Sequence, residues 1–237
     1  MEVTYKTQGI ILQREQYGEN DSRVFVYTPN FGKLELVARG TQKLSSKLSA
    51  HLEPLNLCEI MVVRGKQYDY LGVAISEEVF AGIKNDYGKT AAAGEILKLV
   101  NEVTKEKQAE QAIFLLLKEF LNALDAETRH GASLFDVLKS TFTLKFLALL
   151  GYAPQLEKCV VCQRRLQTGG NSFSYITGGV VCSGCRKGER ALSDAAINTM
   201  RLMLTAPLST LADANIKENF TVEATAVIKE MRLYHLT

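Results

Sequence analysis

The sequence predicts an α+β multidomain chain: an N-terminal OB-fold β-barrel, then an all-α domain with an inserted four-cysteine zinc module. Three observations predict it. Short β-like runs separated by turn residues fill the first 80 positions, helical periodicity takes over from about Lys89, and four of the five cysteines form two C-x₂-C pairs inside the helical part. The expected boundaries are 1–80 for the barrel and 81–237 for the helical domain, with the zinc module at 157–190.

The 237 residues, 46% hydrophobic and 23% charged, suit an ordinary globular chain long enough for one large domain or two to three small ones. A net charge of +2 is too small to announce a nucleic-acid partner, so any such argument rests on local charge.

The β-like runs are Gly9 to Leu12, Arg23 to Tyr27, Leu34 to Ala38, Leu57 to Val63 and Tyr68 to Val73. Turns at Tyr17 to Asp21, Thr28 to Gly32 and Arg64 to Lys66 separate several of them. Five short strands suit a small closed or partly open barrel better than a sandwich, which needs roughly seven. An oligonucleotide-binding barrel is the leading candidate.

Ile113, Leu116, Leu117, Phe120, Leu121 and Leu124 then recur at helical spacing, opposite Lys118 and Glu119. A second helix, with Ser133 as its expected cap, carries Val137, Leu138, Phe142, Phe146 and Leu149 to a stop at Gly151 to Pro154. Ser193 begins another helix that ends at Ala206-Pro207, and the last runs through Val227, Ile228, Met231 and Tyr234. Because helices flank the cysteine pairs, the module is expected as an insertion, not a separate tail.

Cys159 and Cys162 are separated from Cys182 and Cys185 by nineteen residues. Two C-x₂-C turns at this spacing can aim four thiolates at one Zn²⁺, and a closed four-thiolate site leaves no position for a reactive water. One structural zinc per chain is the expectation. The alternatives are two disulfides or four unrelated thiols; disulfides need an oxidising compartment, and the N-terminus shows no apolar leader pattern. The expected location is cytoplasmic. Cys58, alone in the apolar run Leu55 to Val63, reads as a core thiol.

No acidic residue stands between Leu36 and Leu52, where Arg39, Lys43 and Lys47 recur at four-residue steps among Thr41, Gln42, Ser45, Ser46 and Ser49. Cations release counterions on meeting phosphates, while hydroxyls and amides add hydrogen bonds that ask for no particular base. The plain alternative is a solvated loop. Tyr17, Phe25, Tyr27, Phe31, Tyr68 and Tyr70 supply aromatic faces, of which most are expected in the core and a third on an open groove. The zinc module sets Lys158, Arg164, Arg165, Arg186, Lys187 and Arg190 against Glu157 and Glu189, a local +4 that suits a phosphate track or a partner surface.

Catalysis finds little support. The only histidines, His51, His130 and His235, are far in sequence from the cysteines, and His51 and His235 read as ordinary surface or helix-end residues. The glycine pairs Gly169-Gly170 and Gly178-Gly179 lack the Gly-Lys-Ser/Thr of a nucleotide-binding loop and read as turns in the module.

Several of these pieces share an order. Gly9 to Leu12, Tyr17 to Asp21, Gly32 to Leu34, Val37 to Gly40 and Leu52 to Pro54 resemble the OB domain of the bacterial recombination mediator RecO family. Leu144 to Leu150 with the following Gly-Tyr-Ala-Pro, the C-x₂-C pair, Leu202 to Pro207 and Tyr234 to Leu236 resemble the rest of that family in the same order. The resemblance implies DNA repair and recombination without enzymatic chemistry: binding single- and double-stranded DNA, annealing complementary strands, and acting with RecR to load RecA onto SSB-coated strands. It also implies RecR and the SSB C-terminal tail as partners, a nucleoid-associated location, and no membrane or small-molecule substrate. Lys33, Arg39, Lys43, Lys47, Arg164, Arg165, Arg186 and Lys187 are the expected DNA contacts, and Cys159, Cys162, Cys182 and Cys185 the metal ligands. The competing reading is a zinc-ribbon interaction or transcription accessory protein without annealing activity.

Overall fold

The computed structural model describes residues 4–127, 132–213 and 218–236. Five strands, β1 (Thr4–Tyr17), β2 (Asp21–Thr28), β3 (Gly32–Ala38), β4 (Leu57–Val63) and β5 (Asp69–Glu78), close into a barrel in the order β1-β2-β3-β5-β4. The long β1 pairs with β2 through one half and with β4 through the other, and a register shift between Ile11 and Gln13 marks the change. Closure comes from the parallel pairing of β3 with β5, Leu36 to Asp69 and Val37 to Tyr70. Alternation aims Val24, Val26, Leu34, Leu36, Ile60 and Val62 into the barrel, with Cys58 among them as a buried thiol.

The expected helical region begins on schedule but its first part packs with the barrel. Helices α1 (Ala81–Lys84), α2 (Tyr87–Val103) and α3 (Gln111–Ala126) complete a compact unit spanning Met1–Ala126, so packing divides the chain later than residue 80. The reason is visible at Tyr27. Alternation puts it on the outer face of β2 with Phe25, yet it is fully buried and its hydroxyl donates to the Glu110 carbonyl ahead of α3. Gly32 shows the same closeness: its φ is +67°, and a Cβ there would lie 2.1 Å from the Gln108 carbonyl oxygen.

The second unit, Glu127–Thr237, contains α4 (Ala132–Leu149), α5 (Asp194–Thr205), α6 (Leu208–Asp213) and α7 (Glu218–Leu236), with a small sheet β7-β6-β8 between α4 and α5. Its strands are β6 (Ser172–Ser174), β7 (Gly179–Val181) and β8 (Arg190–Ala191). Phe173 and Val180 of this module share one core with Leu144 and Leu147 of α4, Met200 and Met203 of α5, and Val227 and Met231 of α7. The module is therefore built into the helical core. Ser193 caps α5, accepting from the Ala196 amide at 3.1 Å. Ser133 does not sit at a cap position, since α4 already includes it.

Candidate nucleic-acid interface and metal centre

One end of the barrel gathers the β1–β2 turn, the segment after β3 and the start of β5. Asp21 accepts from the Gly40 amide at 2.8 Å, and buried Thr41 donates to the Ser22 hydroxyl at 2.7 Å. Arg14 fastens the segment from the other side. Its guanidinium donates to the carbonyls of Ser49 and Thr41, to the hydroxyls of Ser49 and Ser22, and to the Glu53 carboxylate. A fork of donors held this way converts a polar loop into a fixed surface. Sequence reasoning misses Arg14, because a lone cation in a polar strand carries no mark of what it will meet.

On that surface Arg39, Lys43 and Lys47 line an open groove of about 500 Å³, whose other wall is Gly72, Val73 and Ala74 of β5. Ser45, Ser46 and His51 line it as well. Arg39, Lys43 and Lys47 are exposed, and none makes an ion pair with a described residue. Arg39 lies over the Tyr70 ring at 4.4 Å, while Tyr17 and Tyr68 meet edge to face at 6.3 Å. Lys33 is placed differently: its ammonium donates to the Asn101 carbonyl at 2.5 Å, which engages it within the unit and away from the groove. Among the six aromatics, Tyr27 is buried, Phe31 packs on Tyr5 at 4.3 Å and Phe25 is half-buried on the outer face of β2, leaving Tyr17, Tyr68 and Tyr70 at the barrel end.

In the second unit, the four sulfurs of Cys159, Cys162, Cys182 and Cys185 lie within 4.8 Å of one another. Four thiolates about 2.3 Å from a tetrahedral zinc stand about 3.8 Å apart, and the Cys162 and Cys182 sulfurs are separated by 3.8 Å. That is far beyond the ~2.05 Å of a disulfide, and all the cysteines are free thiols. Tight turns aim them. Gln163, at φ +60°, returns its amide to the Cys159 carbonyl at 2.9 Å, and the Cys185 amide donates to the Cys182 carbonyl at 3.0 Å.

The electrostatics of the cluster call for a cation. Burial pushes the Cys159 thiol up, but the amides of Cys182, Cys162 and Val161 outweigh it and bring the group down to about 6. The Arg164 amide lowers Cys162. Cys185, crowded by Cys182 and Cys162, is pushed up to about 12. The backbone thus favours thiolate at the first pair while crowding resists a further negative charge, a conflict that a central metal ion removes. This donor set and spacing fit a metal ion.

Around the cluster, Arg164, Arg165, Arg186 and Lys187 are exposed and make no ion pair with a described residue, while the Glu189 carboxyl, held low by the Lys187 and Glu189 amides, also feels the Arg186 and Lys187 charges. Arg190 and Glu157 are engaged in structure, the first pairing with Glu230 and the second with Arg201 at 2.9 Å. Arg201 also donates to the Leu156 carbonyl, anchoring the start of the module to α5. Among the described residues, no helix is long and apolar enough to cross a membrane.

The chain is similar to known proteins along its length. It matches the family Recombination protein O N terminal over residues 1–79 and Recombination protein O C terminal over residues 84–237. A DNA repair protein RecO of Thermoanaerobacter sp. (strain X514) is 29% identical over 232 residues, covering 95% of this chain and 91% of that one. One of Dehalococcoides mccartyi (strain BAV1) is 31% identical over 199 residues, covering 84% and 76%. One of Roseiflexus sp. (strain RS-1) is 30% identical over 228 residues, covering 95% and 78%. With both halves matched in order around a barrel and a four-cysteine helical unit, the chain belongs to the recombination protein O family of DNA repair proteins.

Proposed function

We propose that the protein is a non-enzymatic mediator of DNA repair and homologous recombination that binds single- and double-stranded DNA and anneals complementary strands. With RecR it helps load RecA onto SSB-coated single strands, and it contacts the SSB C-terminal tail. The observation that carries the DNA reading is the groove of Arg39, Lys43 and Lys47 beside Tyr17, Tyr68 and Tyr70, since unpaired cations over aromatic faces hold a strand without reading its sequence. Arg164, Arg165, Arg186 and Lys187 extend the phosphate contacts, and one zinc on Cys159, Cys162, Cys182 and Cys185 holds those cations in place without touching substrate. Such a protein works in the cytoplasm, at the nucleoid.

Annealing separates this reading from a zinc-ribbon interaction protein. The purified chain, mixed with two complementary labelled oligonucleotides and no nucleotide triphosphate, accelerates duplex formation and leaves both strands at their original mass. A chain that leaves annealing at its spontaneous rate, or one that changes the mass of either strand, contradicts the proposal. Charge reversal at Arg164 and Arg165 lowers that annealing while leaving thermal stability nearly unchanged, because both side chains are exposed and make no ion pair with a described residue.

A further inference from the structure

His51 stands in a short 3-10 turn, Ser49–Leu52, that opens onto the groove. Its ring is oriented by the barrel. The Ser76 amide of β5 points at Nδ1 at 3.1 Å, with the Ser76 hydroxyl 3.0 Å from the same atom. A backbone N–H can only donate, so Nδ1 is the acceptor and a ring making this bond carries its proton on Nε2. The backbone behind the ring is equally fixed. The His51 carbonyl accepts from the Asn56 side-chain amide at 3.1 Å and from the buried Cys58 thiol at 3.1 Å, and Lys84 holds Asn56 through its side-chain oxygen at 2.5 Å. Leu52, next in the chain, is fully buried. Nε2 has no partner among the described residues and is not among the buried unsatisfied atoms, so it meets solvent on the groove side.

From this geometry we infer that His51 is a positioned neutral donor of the groove, giving its Nε2–H to a phosphate oxygen of the bound strand between the cations Arg39, Lys43 and Lys47. The inference rests on the reading of that groove as a DNA track. A histidine held as a neutral donor differs in one measurable way from its lysine neighbours: its hydrogen bond adds affinity but releases no counterion. Its fixed ring also spares the ordering cost that a long side chain bears on binding.

The test uses the full-length, metal-loaded protein and a fluorescein-labelled oligo(dT), with affinity measured across a salt series. H51N retains an oxygen able to accept the Ser76 amide, and its shorter side chain places no N–H at the Nε2 position. It is expected to bind roughly tenfold more weakly at every salt concentration, as fits loss of one hydrogen bond to a charged acceptor, with the slope of log K against log salt unchanged. H51Q, whose amide nitrogen reaches toward the Nε2 position, recovers part of the loss. Equal melting temperatures among the variants show that the fold is intact. A wild-type affinity in folded H51N overturns the inference, and so does a slope reduced by roughly 0.7, which marks a cation at position 51. K43A and K47A distinguish the two levels. If they weaken binding while H51N does not, the histidine inference fails alone; if they too bind normally, the groove reading fails and takes the inference with it.

Discussion

Replacing Cys182 with serine is expected to lower the stability of the chain by on the order of 5 kcal/mol and to remove its metal. The four sulfurs converge within 4.8 Å, and the module they hold contributes Phe173 and Val180 to the core shared with α4, α5 and α7. Loss of the ion therefore frees more than a surface knuckle: it leaves a core built around those two side chains without the clamp that positions them. Elemental analysis of the wild type is expected to find about one zinc per chain, and an added chelator is expected to lower its melting temperature. Cys58→Ser is the matching control. That thiol lies in the barrel, donates to the His51 carbonyl and touches no part of the cluster, so the variant keeps its metal and loses on the order of 1 kcal/mol. Well-folded protein without metal would overturn the account of the module.

The second large effect is on salt dependence. An Arg39, Lys43 and Lys47 to alanine triple variant is expected to flatten the log-log slope for single strands by roughly two to three units, near 0.7 for each phosphate that is no longer neutralised. Stability is expected to change little, because the three side chains are exposed and make no ion pair with a described residue; Arg39 gives up its packing on the Tyr70 face. Lys33→Ala behaves in the opposite way. Its ammonium is engaged by the Asn101 carbonyl, so its removal alters stability more than slope. An unchanged slope in the triple variant moves the DNA contacts to another surface.

These contrasts also mark how far the sequence carries the reading. The strands are legible because alternation in runs such as Leu57 to Val63 has one physical solution, a face toward a core; β4 has the bounds that its apolar run predicts. The cysteines are legible because ligand spacing is local, and two turns at fixed separation suffice to state the site. What escapes depends on partners far along the chain. Nothing in the run around Arg14 foretells that its guanidinium will tie down Thr41 and Ser49, and nothing near Lys33 foretells Asn101. Tyr27 and Phe25 share a strand face as expected, but the segment at Glu110 covers Tyr27, and only packing reveals it. His51 reads as an ordinary surface residue because its role comes from the Ser76 amide, 25 positions away.

The grouping of helices is the least legible feature. The change of period near Lys89 marks where helices begin, and it is silent about which core they join. Helices α2 and α3 direct Ile96, Leu97, Val100, Ile113, Leu117 and Phe120 inward within the barrel's own unit, whereas α4 opens the next one. An amphipathic stripe states that a face is buried and leaves the partner unspecified.

The central claim is that the strand runs along the cationic groove at the end of the barrel. Photocrosslinking with iodouracil-substituted single-stranded DNA tests it most directly, because covalent capture reports contact whatever the affinity. Digestion and mass spectrometry are expected to place the adducts on Tyr17, Tyr68 or Tyr70 and on peptides from residues 39–51, with added adducts in the zinc module. Adducts confined to other surfaces, with the barrel end unmodified, would contradict the account.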